Sequence, residues 1–182
     1  MKGIVFSEFL DMVEDKFSPE VADRILSNTQ LQQADGSYTR VGTYHHADLI
    51  SLVVSLSQES GVPGGELVKT FGKYLFGRFV ELYPSQFAGI SGATDFLKRI
   101  HEYVHVDVQK LYPDAELPSF TWNEKDGAFS FFYESRRPFA DLAEGLIQGC
   151  LEHFGESYAI EREDLVEDGC VARFILVPAG HA

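Results

Sequence analysis

Cysteine, positive charge and long apolar runs are all scarce in this chain. Its 182 residues include only Cys150 and Cys170, too few for a disulfide framework or a cysteine-rich zinc site. Fifteen Lys and Arg stand against 28 Asp and Glu, a formal net charge of -13. That balance opposes attraction to nucleic acid or to an anionic membrane surface. No apolar run is long enough to span a bilayer. The start, Met1-Lys2-Gly3-Ile4-Val5-Phe6, meets Glu8 and Asp11 too early for a signal peptide. The expectation is a cytoplasmic protein with neither nucleic-acid nor membrane partners. Enzyme signatures are missing too. Gly61 and Gly64-Gly65 lack the spacing of a phosphate-binding loop, and no Gly-x-Ser-x-Gly elbow or His-Glu-x-x-His pair occurs. No internal repeat or low-complexity segment is present.

What the chain does have is apolar mass. Apolar residues make up 45% and aromatic ones 13%, enough for one domain with a sizeable core. Val5, Phe9, Met12, Val13 and Phe17 recur at helical spacing. Ser18-Pro19-Glu20 reads as an N-cap with proline in the first turn, opening a helix to about Leu26. Ala34-Asp35-Gly36-Ser37 is a turn. A helix follows over Asp48–Ser60, stopped by Gly61, and another from about Glu66 to Leu82. A third starts near Thr94, carries Leu97, Ile100, Val104, Val108 and Leu111, and ends at Tyr112-Pro113. The pattern then changes. Phe120–Trp122 and Ala128–Ser135 read as strands around an Asn123-to-Gly127 turn. Pro138 opens a helix over Phe139–Phe154. Tyr158–Arg162 and Val171–Val177 form a hairpin across Glu167-Asp168-Gly169. The fold class is α+β: a helical N-terminal half, about 1–85, packed on a C-terminal antiparallel sheet with helices, about 86–182. A cleft between halves is a common ligand site.

Chemistry concentrates in Tyr133-Glu134-Ser135-Arg136-Arg137. On an extended strand, Tyr133, Ser135 and Arg137 share one face, presenting a phenol, a hydroxyl and a guanidinium to a ligand bearing carboxylates. Upstream, His105 borders an apolar helical stripe and offers an imidazole for a metal. Carboxylate donors beside one His are what a haem pocket requires. His101, one turn before His105, could complete a metal pair, but the further ligands zinc needs are lacking. His45-His46 reads as a solvated helix start. Glu161, Glu163 and Asp164 read as a solvated face.

Taken together, Met1-Lys2-Gly3, Ile100-His101-Glu102-Tyr103-Val104-His105, Lys110-Leu111-Tyr112-Pro113, Leu117-Pro118, the Tyr133 motif and Ala143-Glu144-Gly145-Leu146 resemble the bacterial haem–nitric oxide/oxygen binding (H-NOX) domain. That family is related to the haem domain of soluble guanylate cyclase. The resemblance covers essentially the whole chain, 1–182, as a single domain with haem b buried between its halves. It implies His105 as the proximal iron ligand and Tyr133, Ser135 and Arg137 as the propionate-binding triad. It makes Pro118 the proline that presses on the macrocycle, and Val5, Phe9, Leu75, Phe79, Leu142 and Leu146 the distal lining.

Oxygen-binding members carry a distal Tyr where this chain has Leu142. The expectation is therefore a non-enzymatic sensor that binds nitric oxide, and also CO, at ferrous iron. Gas binding would shift the helix bearing His105 and the N-terminal helices. A separate signalling chain, a histidine kinase or a cyclic-di-GMP enzyme, would read the shift. Three alternatives stand beside it. An oxygen sensor would rest on Tyr74, next to Leu75. A haem enzyme of peroxidase type would need a polar distal acid–base pair. A metal-free site for an apolar carboxylate would use Tyr133, Ser135 and Arg137. A C-terminal Cys/His zinc site found in some relatives is not expected, because Glu161 to Cys170 holds one Cys and no His.

Overall fold

The computed structural model describes residues 1–33, 36–100, 105–106, 109, 113, 116–125 and 127–179. Four long helices come first: α1 Gly3–Lys16, α2 Pro19–Asn28, α3 His46–Ser60 and α4 Gly64–Leu82. A 3-10 turn at Pro84–Gln86 leads to α5, Ala93–Arg99. Strands β1 Ser119–Lys125 and β2 Ala128–Glu134 follow, then α6 Ala140–Phe154, β3 Tyr158–Asp164 and β4 Val171–Pro178. The sheet is antiparallel in the order β1-β2-β4-β3.

The helix limits follow local chemistry. The Ser18 hydroxyl accepts from Val21 N at the start of α2, with Pro19 in the first turn. Gly61 ends α3 at φ 74°, a left-handed conformation that costs a residue without Cβ little. The Ala34-Asp35 half of the expected turn lies outside the described residues, while Gly36 has φ 63°. His101, Val104, Val108 and Leu111 also lie outside them, as do Tyr112 and Lys110. His105, Val106 and Gln109 are helical.

Two differences from the expected strands bear on the site. The β1–β2 turn is shorter than Asn123-to-Gly127, since Asn123, Glu124 and Lys125 pair with Ser130, Phe129 and Ala128. These polar residues resemble a loop because β1 is an exposed edge strand, where charge discourages pairing with another chain. Second, β2 ends at Glu134, so Ser135 lies past the ladder.

Two apolar cores result. One gathers Phe6, Phe9, Met12, Leu52, Leu56, Phe71 and Leu75 from α1, α3 and α4. The other packs Phe129, Phe131, Tyr133, Phe174 and Leu176 of the sheet against Ile147, Cys150 and Leu151 of α6 and Phe96 of α5. Each fully buried large side chain stabilises by roughly 1.5–3 kcal/mol. Helix α4 serves both cores, and Leu146 of α6 packs against both. A buried carboxylate braces the helical part. Glu8 is 0% exposed, held by Arg40 Nη2 at 2.9 Å and by Arg78 Nε at 2.8 Å. A charge removed from water is tolerated only when paired in this way.

Candidate functional site

Tyr133 is the inward residue near the end of β2 and is 3% exposed. Burial pushes its phenol pKa up, opposed in part by the neighbouring Ser135 hydroxyl and by the Arg137 charge. Beyond Glu134 the chain turns. Ser135 N donates to Cys170 O at 2.9 Å, which pins the turn beside β4. Ser135 Oγ accepts from Arg137 N at 3.1 Å, and Tyr133 OH donates to Arg137 O at 3.1 Å. Tyr133 and Ser135 thus meet the backbone of Arg137 in a hydrogen-bonded turn, while the Arg137 side chain runs to Glu116; the shared strand face that the sequence suggested is not what arranges them. Arg137 is tucked in, its side chain 15% exposed, whereas that of Arg136 is 90% exposed.

The Arg137 guanidinium reaches the segment before β1. Nη2 donates to Glu116 Oε2 at 2.6 Å, and Nη1 donates to the Glu116 carbonyl oxygen at 2.9 Å. Glu116, Arg136, Arg137 and His46 lie in the wall of an open pocket of about 430 Å³. His46 begins α3, as the sequence indicated, with His45 as the N-cap through Nδ1. It is not simply solvated. Its ring stacks on His45 at 4.8 Å and meets the edge of Phe139 at 6.4 Å. Burial lowers its pKa, with His45 and Arg137 adding to the effect.

His105 is half-buried, with its Nδ1 atom screened from solvent. Its ring lies 5.3 Å from Phe120, which stacks on Phe131 at 4.9 Å and tilts against Tyr133 at 5.9 Å. Phe120 therefore joins the imidazole to the Tyr133 end of the site. Sequence reasoning read it only as a strand residue. The structure distinguishes it as the one half-buried residue of an otherwise exposed β1, which the sequence, with Trp122 on the same strand face, does not. Pro118, just before that strand, is half-buried.

The six apolar candidates come from three helices at i, i+4 spacing: Val5 and Phe9 on α1, Leu75 and Phe79 on α4, Leu142 and Leu146 on α6. All six belong to one apolar cluster. Phe9 and Leu75 are buried and the others half-buried. Tyr74 packs against the same cluster, but its hydroxyl donates to Asp15 Oδ2 at 3.1 Å in an exposed bond. Burial and the adjacent carboxylate push its pKa up to about 12. Its phenol is thus committed to the outer side of the α1–α4 pair.

These parts fit a haem by their chemistry. A half-buried imidazole sits on an aromatic flank, a guanidinium is fixed for carboxylates, and an apolar wall is built from three helices.

Comparison with known proteins points the same way. The family model for haem-NO-binding proteins matches residues 2–162. The Fe(II) unliganded H-NOX protein of K. algicida is 36% identical, with a TM-score of 0.91 over 100% of this chain and 98% of its own. The IWP-051-bound H-NOX of Shewanella woodyi in the Fe(II)CO state is 41% identical, with a TM-score of 0.83, covering 98% and 95%. The H-NOX protein of S. oneidensis in the Fe(II)NO state is 25% identical, with a TM-score of 0.89, covering 99% and 100%. No curated protein matches the chain.

Proposed function

Since the chain belongs to the haem-NO-binding (H-NOX) family of haem-based gas-sensor domains, we propose that it is a nitric oxide sensor that also takes CO and does not retain oxygen. Haem b is the cofactor, and its ferrous iron supplies the coordination position for the gas. His105 would hold the iron through its imidazole. Tyr133 and Ser135 fix the turn that carries Arg137, and Arg137 anchors a propionate. Pro118 would pack against the cofactor. Val5, Phe9, Leu75, Phe79, Leu142 and Leu146 exclude water from the distal side.

The observation that carries the choice of gas is the hydrogen bond from Tyr74 to Asp15. Bound dioxygen carries partial negative charge and needs a hydrogen-bond donor to hold it. None of the six lining residues has one, and the phenol next to Leu75 is engaged elsewhere. The same wall lacks the acid–base pair of a peroxidase, so the domain acts as a sensor rather than an enzyme. Its output passes to a separate cytoplasmic chain, a histidine kinase or a cyclic-di-GMP enzyme, through a shift of the His105 helix and the N-terminal helices.

Absorption spectra of the reduced protein under argon, CO, NO and air test this. CO and NO complexes with no lasting oxy spectrum are expected. A stable oxy form would overturn the nitric oxide assignment, and absence of a haem spectrum would overturn the haem assignment.

A further inference from the structure

The guanidinium of Arg137 has two edges that can each take a carboxylate: the head edge, Nη1 with Nη2, and the side edge, Nε with Nη2. Two of its nitrogens are engaged from within the chain. Glu116 places its carboxylate on Nη2 and its own carbonyl oxygen on Nη1. A second carboxylate approaching Arg137 therefore meets a guanidinium already partly engaged, and Arg137 lines a pocket also walled by His46 and Arg136. The gripped residue is two positions before Pro118. Backbone units are stiff and Pro118 has a fixed φ. Holding residue 116 at both its carbonyl and its side chain therefore limits where the Pro118 ring can lie. The other end of the grip is equally fixed, because Tyr133 and Ser135 hold the Arg137 backbone.

We propose that Glu116 is a positioning residue that ties the propionate anchor Arg137 to the haem-bending Pro118, so that the two contacts act on the macrocycle as one rigid unit. The inference rests on the haem reading above. Glu116 limits how a propionate can approach Arg137 and keeps Pro118 pressed inward. The acceptor oxygen matters more than the charge, since the side chain is 60% exposed and water screens an exposed ion pair.

The test compares wild type, Glu116→Ala, Glu116→Gln, Pro118→Ala and the Glu116→Ala/Pro118→Ala double variant. Two quantities are read on reduced, unliganded protein: the out-of-plane resonance Raman bands of the haem, and the rate of haem transfer to apomyoglobin. Glu116→Ala is expected to give a flatter haem and to lose it about two- to fivefold faster. Glu116→Gln, which keeps an oxygen in the same place, should retain the wild-type Raman pattern. The double variant should be no flatter than Pro118→Ala alone, the non-additivity of residues acting as a unit. Wild-type bands in Glu116→Ala, flattening in Glu116→Gln equal to that in Glu116→Ala, or additive flattening in the double variant would each overturn the proposal. If Glu116→Ala does not fold, Glu116→Ser, too short to reach Arg137, takes its place with the same expected outcomes. A wild-type protein that binds no haem would instead refute the underlying reading, so the two failures are distinguishable.

Discussion

Gly72 of α4 and Gly145 of α6 face each other where the two helices cross. A Cβ added to Gly72 would lie 2.9 Å from the Gly145 Cα, and one added to Gly145 would lie 3.0 Å from the Gly72 Cα. The added Gly145 Cβ would also sit 2.0 Å from the Lys69 carbonyl oxygen, so backbone, not a pliable side chain, blocks it. Leu75 and Phe79 on α4, and Leu142 and Leu146 on α6, are held in one apolar wall by this crossing. Gly145→Ala should force the helices apart and destabilise the fold by about 1–3 kcal/mol, the usual cost of overpacking. Urea unfolding measures it, and a midpoint equal to wild type would show that the crossing can yield.

How much of this was legible beforehand depends on how local each cause is. The Ser18-Pro19 cap and the Gly61 stop act within one turn of helix, and the helix limits could be read from them. That Tyr133, Ser135 and Arg137 stand close in sequence could be read, but the turn that links them could not. That turn is pinned by Ser135 N on Cys170 O, a contact between segments far apart in sequence. Asp15 as the partner of Tyr74 lies 59 residues away. Glu116 is one acid among 28 Asp and Glu, and nothing in its neighbours marks it. Asn123-Glu124-Lys125 misled because an exposed edge strand and a loop draw on the same polar residues.

Tyr74 offers a pH-dependent check on the distal wall. Its phenol pKa rises from the ordinary 10.0 to about 12, through burial first and the Asp15 carboxylate second. The fold therefore favours the neutral phenol. That contribution to stability is complete below about pH 10 and disappears as pH rises from about 10 to about 12. The difference in thermal midpoint between wild type and Tyr74→Phe should be constant at neutral pH and shrink across that window. The same variant should leave the CO and air spectra unchanged. A Tyr74→Phe protein with altered gas spectra would place the phenol in the distal pocket after all.

Adjacent arginines with opposite exposure separate charge from position. Arg137→Ala and Arg136→Ala remove the same charge, but only the first removes a side chain held against the pocket wall. The Arg137 side chain is 15% exposed and doubly hydrogen-bonded to Glu116, while a fully exposed pair is worth about 0–1 kcal/mol. Arg136 touches Glu116 Oε1 only at 3.9 Å. Haem transfer to apomyoglobin should accelerate strongly in Arg137→Ala and scarcely in Arg136→Ala. Equal rates would mean that net charge at the pocket mouth, not the fixed fork, retains the propionate.

His105 carries the most consequential expectation. Its ring is packed on Phe120, which is itself packed on Phe131 and Tyr133. The imidazole is thus oriented by the same aromatic column that supports the triad. Removing it leaves a hole of imidazole shape beside an intact flank, and a free imidazole can enter such a hole because the apolar surfaces that would orient it remain. His105→Gly should purify with reduced haem content, and added imidazole should restore both the loading and the spectrum of the reduced protein. The supplied base is not linked to the helix, so under the proposed sensor function any output should stay uncoupled from gas binding even after the spectrum recovers. Haem loading and a reduced spectrum equal to wild type without imidazole would show that another group holds the iron.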